Sequence, residues 1–462
     1  MVCSEYAPLA KTGGLADAVM GLSTALSAQH HDVRVLIPNY VHLPPAAAVV
    51  EPLDGDSAKF RYLELPAHRN GPQVNLLDLP DVIADVIYTG DERDASRFLP
   101  LAEGALLLGE ALHWQPDVLH CHDWHAALVP VLQKARGWMA SVPTVLTVHN
   151  IGYQGVFADT VLAANGYADL LDVIDPRALA GGTVNFLRAG IGAATAITTV
   201  SPTYAKEIRT PAYGMGLEDL LSARQNDLTG ILNGVDYATW SPESDPFLPE
   251  QYDASDLTPK YELKAALCAR LGLALDRNAP LLGLVSRLVP QKGVDLFLAA
   301  APVLLRETSA CFALLGNGEP ELAAALHGLA AQHPQRVSFT DGYNEPLAHQ
   351  ILAGSDIVLL PSRYEPCGLT QLYAMRYGSI PVVRATGGLA DTVQHFDPAT
   401  GQGNGAVFED ADVGGLLWGT RSALAWYGDA NAWPRVIANA MSADFSWHNQ
   451  IHHYEALYRR LS

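Results

Sequence analysis

Short apolar runs alternate along the chain with stretches whose apolar residues recur every three or four positions. Residues 33–37, 74–77, 118–120, 144–148, 196–200, 281–285, 310–315, 357–360 and 380–383 are nearly continuous in apolar side chains, many of them Val or Ile. Strands covered by helices on both faces read this way, because neither face meets water. Residues 15–29 and 321–332 have helical spacing between such runs, and 445–461 closes the chain with a further helix. Strand-helix alternation predicts an α/β fold of parallel sheets and crossover helices. The chain opens on Val2-Cys3-Ser4, which has strand character but is shorter than the roughly five residues of an ordinary strand, so the first strand reads as clipped.

Between 233 and 261 the pattern breaks. Ser241-Pro242, Asp245-Pro246, Leu248-Pro249 and Thr258-Pro259 each push the residue before proline out of helical geometry. The break predicts two α/β halves of similar size, an N-terminal domain over 1–235 and a C-terminal domain over 247–442.

Composition narrows the function. The 462 residues are 49% hydrophobic and 17% charged, which suits two packed domains and excludes a disordered chain. The net charge of −20 argues against a nucleic-acid or anionic-membrane partner, but leaves room for one anionic ligand held by a few local cations. No apolar run reaches the length of a membrane span, and no charged-then-apolar leader opens the sequence. Five scattered cysteines without a CxxC pair read as reduced thiols, so the expected location is cytoplasmic.

Several segments carry candidate chemistry. Thr12-Gly13-Gly14-Leu15-Ala16-Asp17-Ala18-Val19 returns as Thr386-Gly387-Gly388-Leu389-Ala390-Asp391-Thr392-Val393, seven of eight positions being identical. Either a tight turn before a helix explains both copies, or two similar loops offer backbone N–H groups to one ligand, with Lys11 favouring an anion. Arg287 and Lys292 follow a strand, where α/β sheets bind ligands, and suit a diphosphate or a solvated surface. Glu365, on the loop 361–371, is either a sugar-binding acid or a carboxylate favoured by a helix start. His120-Cys121-His122-Asp123-Trp124-His125 lacks the converging ligands of a zinc site, and Asp123 and Trp124 read better as a sugar-binding acid and a stacking ring. Asp54-Gly55-Asp56 and Asp410-Ala411-Asp412 sit in acidic loops and read as coincidental to metal binding. Gly190-Ile191-Gly192 and Gly316-Asn317-Gly318 do not complete a dinucleotide fingerprint.

In order, Lys11–Asp17, His122–Ala126, Thr147–Asn150, Val200–Ala205, Leu232–Asp236, Ser286–Leu288 with Gln291–Gly293, Ser362–Gln371, Thr386–Val393 and Asp444–Trp447 resemble the bacterial glycogen synthase and plant starch synthase family across nearly the whole chain. The resemblance implies a GT-B architecture, two Rossmann-like domains facing a cleft, with the last helix, within 443–462, crossing back to the N-terminal domain. It implies transfer of glucose from ADP-glucose to the non-reducing 4-hydroxyl of an α-1,4-glucan (glycogen or a maltooligosaccharide), with retention of configuration and without a metal or other cofactor. By that similarity Arg287 and Lys292 neutralise the leaving diphosphate, and Lys11 reaches it beside Gly13 and Gly14. Leu369 and Thr370 donate backbone N–H groups to phosphate. Glu365 binds glucose hydroxyls in a pocket lined by Cys367 and Gly368, and His149 stabilises the sugar near its anomeric carbon. Asp123 lies by the reacting sugar or the acceptor, Tyr343 stacks on adenine, and Asp17 and Trp124 are acceptor-side candidates.

Overall fold

The computed structural model describes residues 1–40, 48–50, 60–66, 71–79, 86–274, 276 and 278–462. The pair Asp54 and Asp56 lies outside these residues. The backbone divides into two compact units, Met1–Gly234 with Trp447–Ser462, and Val235–Ser446.

In the first unit the strands are β1 (Arg34–Pro38), β2 (Ala48–Val50), β3 (Arg61–Glu64), β4 (Gln73–Asp78), β5 (Leu119–His122), β6 (Thr144–Val148), a small antiparallel pair β7 (Val156–Ala158) and β8 (Thr183–Asn185), then β9 (Ala196–Thr199) and β10 (Leu228–Gly230). They pair in the orders β1-β4-β3-β2 and β10-β9-β6-β5, parallel except at β2–β3 and β3–β4. Val2 joins the two sets, bridging Leu36 of β1 on one side and Cys121 of β5 on the other. Its N–H donates to His120 O at 2.8 Å, and its carbonyl accepts from His122 N–H at 3.0 Å. The short opening segment therefore occupies the centre of the sheet through a single bridging residue.

The expected helix at 15–29 is Gly14–Ala28. Its buried Ala18, Leu22 and Leu26 share a core with Val145, Ala196, Ile231 and the apolar face of the closing helix Trp447–Leu461, namely Trp447, Ile451, Tyr454 and Leu457. A β-carbon on Gly21 would fall 1.9 Å from Trp447 Nε1, so the absence of a side chain there is what lets the closing helix seat.

In the second unit β11 (Leu281–Val285), β12 (Cys311–Gly316), β13 (Val337–Asp341), β14 (Ile357–Leu360), β15 (Ile380–Arg384) and β16 (Ala406–Phe408) form one parallel sheet in the order β13-β12-β11-β14-β15-β16. The order reverses between β11 and β14, and in such sheets the carboxyl ends at the reversal point receive ligands. Arg287 and Lys292 follow β11, and Glu365 follows β14. Among the described residues no helix is long and apolar enough to cross a membrane.

Candidate active site

Lys292 and Glu365, 73 residues apart, meet in the second unit: Lys292 Nζ lies 2.5 Å from Glu365 Oε2, which also accepts from Ser362 Oγ at 3.0 Å. The Glu365 residue is 5% exposed, so the pair is largely shielded from water. Two close backbone approaches hold it there. Gly293 adopts φ +65, and a β-carbon on it would sit 2.0 Å from Pro361 O, so the loop carrying Lys292 lies directly against the end of β14. Gly387 adopts φ +44, and its β-carbon would sit 1.9 Å from Glu365 O. The N–H of Gly388 completes the contact by donating to that carbonyl at 3.0 Å. Nearby, Arg363 N–H donates to Gln291 O at 2.8 Å, and the Arg363 guanidinium makes two 2.7 Å bonds to Asp295. Leu288 N–H donates to Asn317 O at 2.7 Å, which ties the Arg287 loop to the end of β12.

The rest of the loop is equally organised. Gly368 adopts φ +71, Gln371 Nε2 donates to Cys367 O at 3.0 Å and Gly368 O at 2.9 Å, and Leu369 and Thr370 start the helix Thr370–Arg376. Tyr343, just beyond β13, is 71% exposed. The Asp412 carboxylate caps the helix Val413–Tyr427, accepting from Gly415 N–H at 2.8 Å.

The two copies of the repeated octapeptide fall one in each unit, Thr12–Val19 in the first and Thr386–Val393 in the second. Both begin helices, Gly14–Ala28 and Gly387–Thr392. In the second copy Gly387 makes room for the Glu365 backbone and Gly388 for that of Cys367, whereas Gly13 is extended at φ −159 and a β-carbon there would meet nothing within 4 Å among the described residues. Thr12 and Gly13 N–H groups donate to the buried carboxylate of Glu5 at 2.6 and 3.1 Å, and Tyr88 O–H donates to the same carboxylate at 2.5 Å. An anion supplied by the chain itself thus occupies these two donors. Lys11 Nζ is 2.9 Å from Asp17 Oδ1, so the acceptor candidate Asp17 serves here as the partner of Lys11.

Asp123 sits at the junction of β5 and the short helix Asp123–Ala126, in the left-handed region at φ +57, a conformation aspartate tolerates better than most residues. Its Oδ1 accepts from His149 N–H at 2.7 Å and Asn150 N–H at 3.4 Å. Burial pushes its carboxyl up to about 7, against the opposing pull of those N–H groups. Burial also pushes the His149 imidazole down to about 3, leaving it neutral at pH 7. His149 Nε2 lies 3.0 Å from Nδ1 of the buried His122, whose Nε2 has no partner among the described residues. A buried lone pair is a cheaper orphan than a buried N–H, so His122 carries its proton on Nδ1 and donates it. His149 must then carry its own proton on Nδ1 and is a donor there. His120 anchors the same strand, with Tyr458 O–H at 2.7 Å and Thr147 Oγ1 at 2.6 Å.

Trp124 departs from expectation. It is 8% exposed and packs among Phe98, His125, Phe157 and Phe186, with ring centroids between 4.1 and 6.4 Å. The indole is packed into this aromatic cluster, and a β-carbon on Gly155 would fall 2.3 Å from its ring.

Of the residues that organise these sites, Glu5 carries no motif of its own, whereas Ser362 and His122 lie inside motifs without an assigned role. Glu5, eight residues before the Gly13-Gly14 turn, and His122, two positions from His120 on one strand face, were the available signals.

Residues 1–223 match the family described as starch synthase catalytic domain, and residues 279–424 match glycosyl transferases group 1. The glycogen synthase of Anaeromyxobacter sp. is 42% identical over all of this chain and 98% of its own length, and that of Alkalilimnicola ehrlichii is 44% identical over 99% and 97%. The chain belongs to the glycogen synthase and starch synthase family. It is a glycosyltransferase of glycogen or starch synthesis. The catalytic domain of Arabidopsis thaliana starch synthase IV, bound to ADP and acarbose, superimposes with a TM-score of 0.90 at 36% identity, covering 99% of this chain and 97% of that one. Thermosynechococcus elongatus sucrose-phosphate synthase, at 18% identity with 97% and 94% coverage, shares the GT-B fold with a TM-score of 0.61.

Proposed function

We propose that the chain transfers glucose from ADP-glucose to the non-reducing 4-hydroxyl of an α-1,4-glucan with retention of configuration. The observation that carries this reading is the close likeness, over the whole chain, to a starch synthase bound to ADP and acarbose. The Lys292–Glu365 pair at the reversal point of the second sheet supplies chemistry that fits it.

Breaking the bond from glucose to phosphate leaves positive charge on the sugar and negative charge on the diphosphate. An ammonium has three protons: Lys292 gives one to Glu365 and keeps two for phosphate oxygens, while Arg287 adds a second fixed cation. Backbone N–H groups of Leu369 and Thr370 join them, in the pocket lined by Cys367 and Gly368. Glu365 Oε1 takes a glucose hydroxyl, held in place because Oε2 is fastened to Lys292 and Ser362. In the first unit the Nδ1–H of neutral His149 donates to the sugar, and Asp123 holds the His149 backbone by its N–H. Lys11, beside Gly13 and Gly14, serves the diphosphate, and Tyr343 stacks on the adenine. The departing phosphate accepts the proton of the attacking hydroxyl, so the scheme needs no second carboxylate of the kind glycosidases use.

Competition between ADP-glucose and UDP-glucose for elongation of maltooligosaccharides tests the donor. Lys292→Ala and Glu365→Ala should each cut turnover at least about a hundredfold, the scale of losing one charge-stabilising group. Near-wild-type turnover in both variants, or equal use of UDP-glucose, would refute the assignment.

A further inference from the structure

The outer edge of the second sheet carries a feature that the transfer chemistry does not use. An open cavity of about 670 Å³ lies beside the edge strand β16, lined by Val393, His395, Phe408, Glu409, Asp410 and Trp418 among others. Trp418, on the helix Val413–Tyr427, is 52% exposed, although its neighbours Leu416 and Leu417 are buried. One face of its indole is covered: His395 stacks on it with centroids 5.0 Å apart and planes 22° from parallel. His395 is itself fixed, because its Nδ1 accepts from Val407 N–H at 3.1 Å and the edge of its ring system meets the buried Trp426 at 5.2 Å. Trp418 is therefore half exposed while one face of its indole packs on His395.

These parts select for one kind of ligand. An immobile indole face accepts the C–H face of a pyranose at little entropic cost. Carboxylates at the rim accept hydroxyl protons through charge-assisted bonds. With Nδ1 used as an acceptor, the uncharged His395 carries its proton on Nε2, a further donor for a sugar oxygen. Burial lowers the basicity of the ring, which keeps it uncharged near neutral pH. Glu409 and Asp410 repel a diphosphate, so the same aromatic face is not suited to a nucleotide.

We infer that the Trp418–His395 cavity is a second binding site, for internal glucose units of an α-glucan chain, apart from the Lys292–Glu365 centre. It lies at β16, two strands from β14, about 10 Å across the sheet. The inference rests on the glucan reading above. Its purpose would be avidity: a branched polymer held at one point presents its chain ends at high effective concentration, without any change in the reacting groups.

Native gel electrophoresis through glycogen, with β-cyclodextrin as a soluble competitor, tests the site. Trp418→Ala should weaken glycogen retention at least about tenfold and raise KM for glycogen, while kcat with maltotriose as acceptor stays at the wild-type value. The double variant Glu409→Gln/Asp410→Asn, which leaves the aromatic stack in place, should also weaken retention, so a folding failure of Trp418→Ala does not protect the idea. Wild-type retention by both variants overturns the site. So does an ADP affinity, measured by calorimetry, that falls in Trp418→Ala. Wild-type protein that elongates maltotriose yet is not retained by glycogen overturns the site alone; protein that is retained but does not use ADP-glucose overturns the functional reading alone.

Discussion

Replacing Gly387 by alanine probes how the Glu365 carboxylate is placed. The new methyl carbon would lie 1.9 Å from Glu365 O and 2.9 Å from its carbonyl carbon, whereas real β-carbons stay at 3.0 Å or more. The Glu365 backbone must therefore retreat by roughly 1 Å, since repulsion rises steeply inside contact distance. A shift of that size parts Oε2 from Lys292 Nζ, now 2.5 Å away, and from Ser362 Oγ at 3.0 Å. Misplacing a reacting group by about 1 Å costs on the order of a hundredfold in rate, or about 2.7 kcal/mol of transition-state stabilisation. The left-handed φ of +44 adds about 1–2 kcal/mol for any L side chain, and the overpacking about 1–3 kcal/mol. For a unit of this size the melting temperature should drop by roughly 5–15 °C. The assay is ADP release from ADP-glucose with glycogen present, paired with a thermal melt. Gly13→Ala, at the matching position of the other copy, provides the contrast: it meets nothing within 4 Å on an extended backbone, so its melt should move by less than about 0.5 kcal/mol of stability. Wild-type kcat/KM in Gly387→Ala would refute the claim that this contact places Glu365, and equal destabilisation by both variants would refute the distinction between the copies.

Two further outcomes follow from the first unit. Burial raises the Asp123 carboxyl to about 7, so the folded chain keeps a proton that the unfolded chain releases near pH 4. The stability from that proton is complete below about pH 4 and lost as pH rises through about 7. Asp123→Asn, which tolerates the left-handed backbone and still accepts from His149 N–H, should flatten the melting temperature between about pH 4 and 7; an unchanged slope rules the titration out. Nitrogen-15 NMR should find the His149 proton on Nδ1, and His122→Phe should both mix the tautomers and lower kcat by roughly tenfold. A wild-type His149 protonated on Nε2 contradicts the hydrogen-bond assignment.

Much of the architecture was legible in the chain because burial on both faces leaves a local mark. Strands at 144–148, 281–285 and 357–360 coincide with β6, β11 and β14 residue for residue. Other boundaries slipped by one or two residues, as at β5, where the strand runs on to His122, since hydrogen bonding rather than hydropathy ends it. Loop positions at strand ends were legible for the same reason: Arg287, Lys292 and Glu365 lie within seven residues after apolar runs.

The sequence by itself determined the alternation of strands and helices, the helix-starting role of both Gly-Gly turns, and the family to which the motifs point. These depend on side-chain period and local backbone preference, which a short window contains. Only the tertiary structure decided that Lys292 meets Glu365 across 73 residues, and that Glu5 occupies the Thr12 and Gly13 N–H groups. It also decided that Trp124 belongs to the core and that Trp418 lies open against His395. A pair distant in sequence meets only where chain crossings bring it together. A hydrophobic ring is buried or exposed according to what packs over it, which no periodicity records.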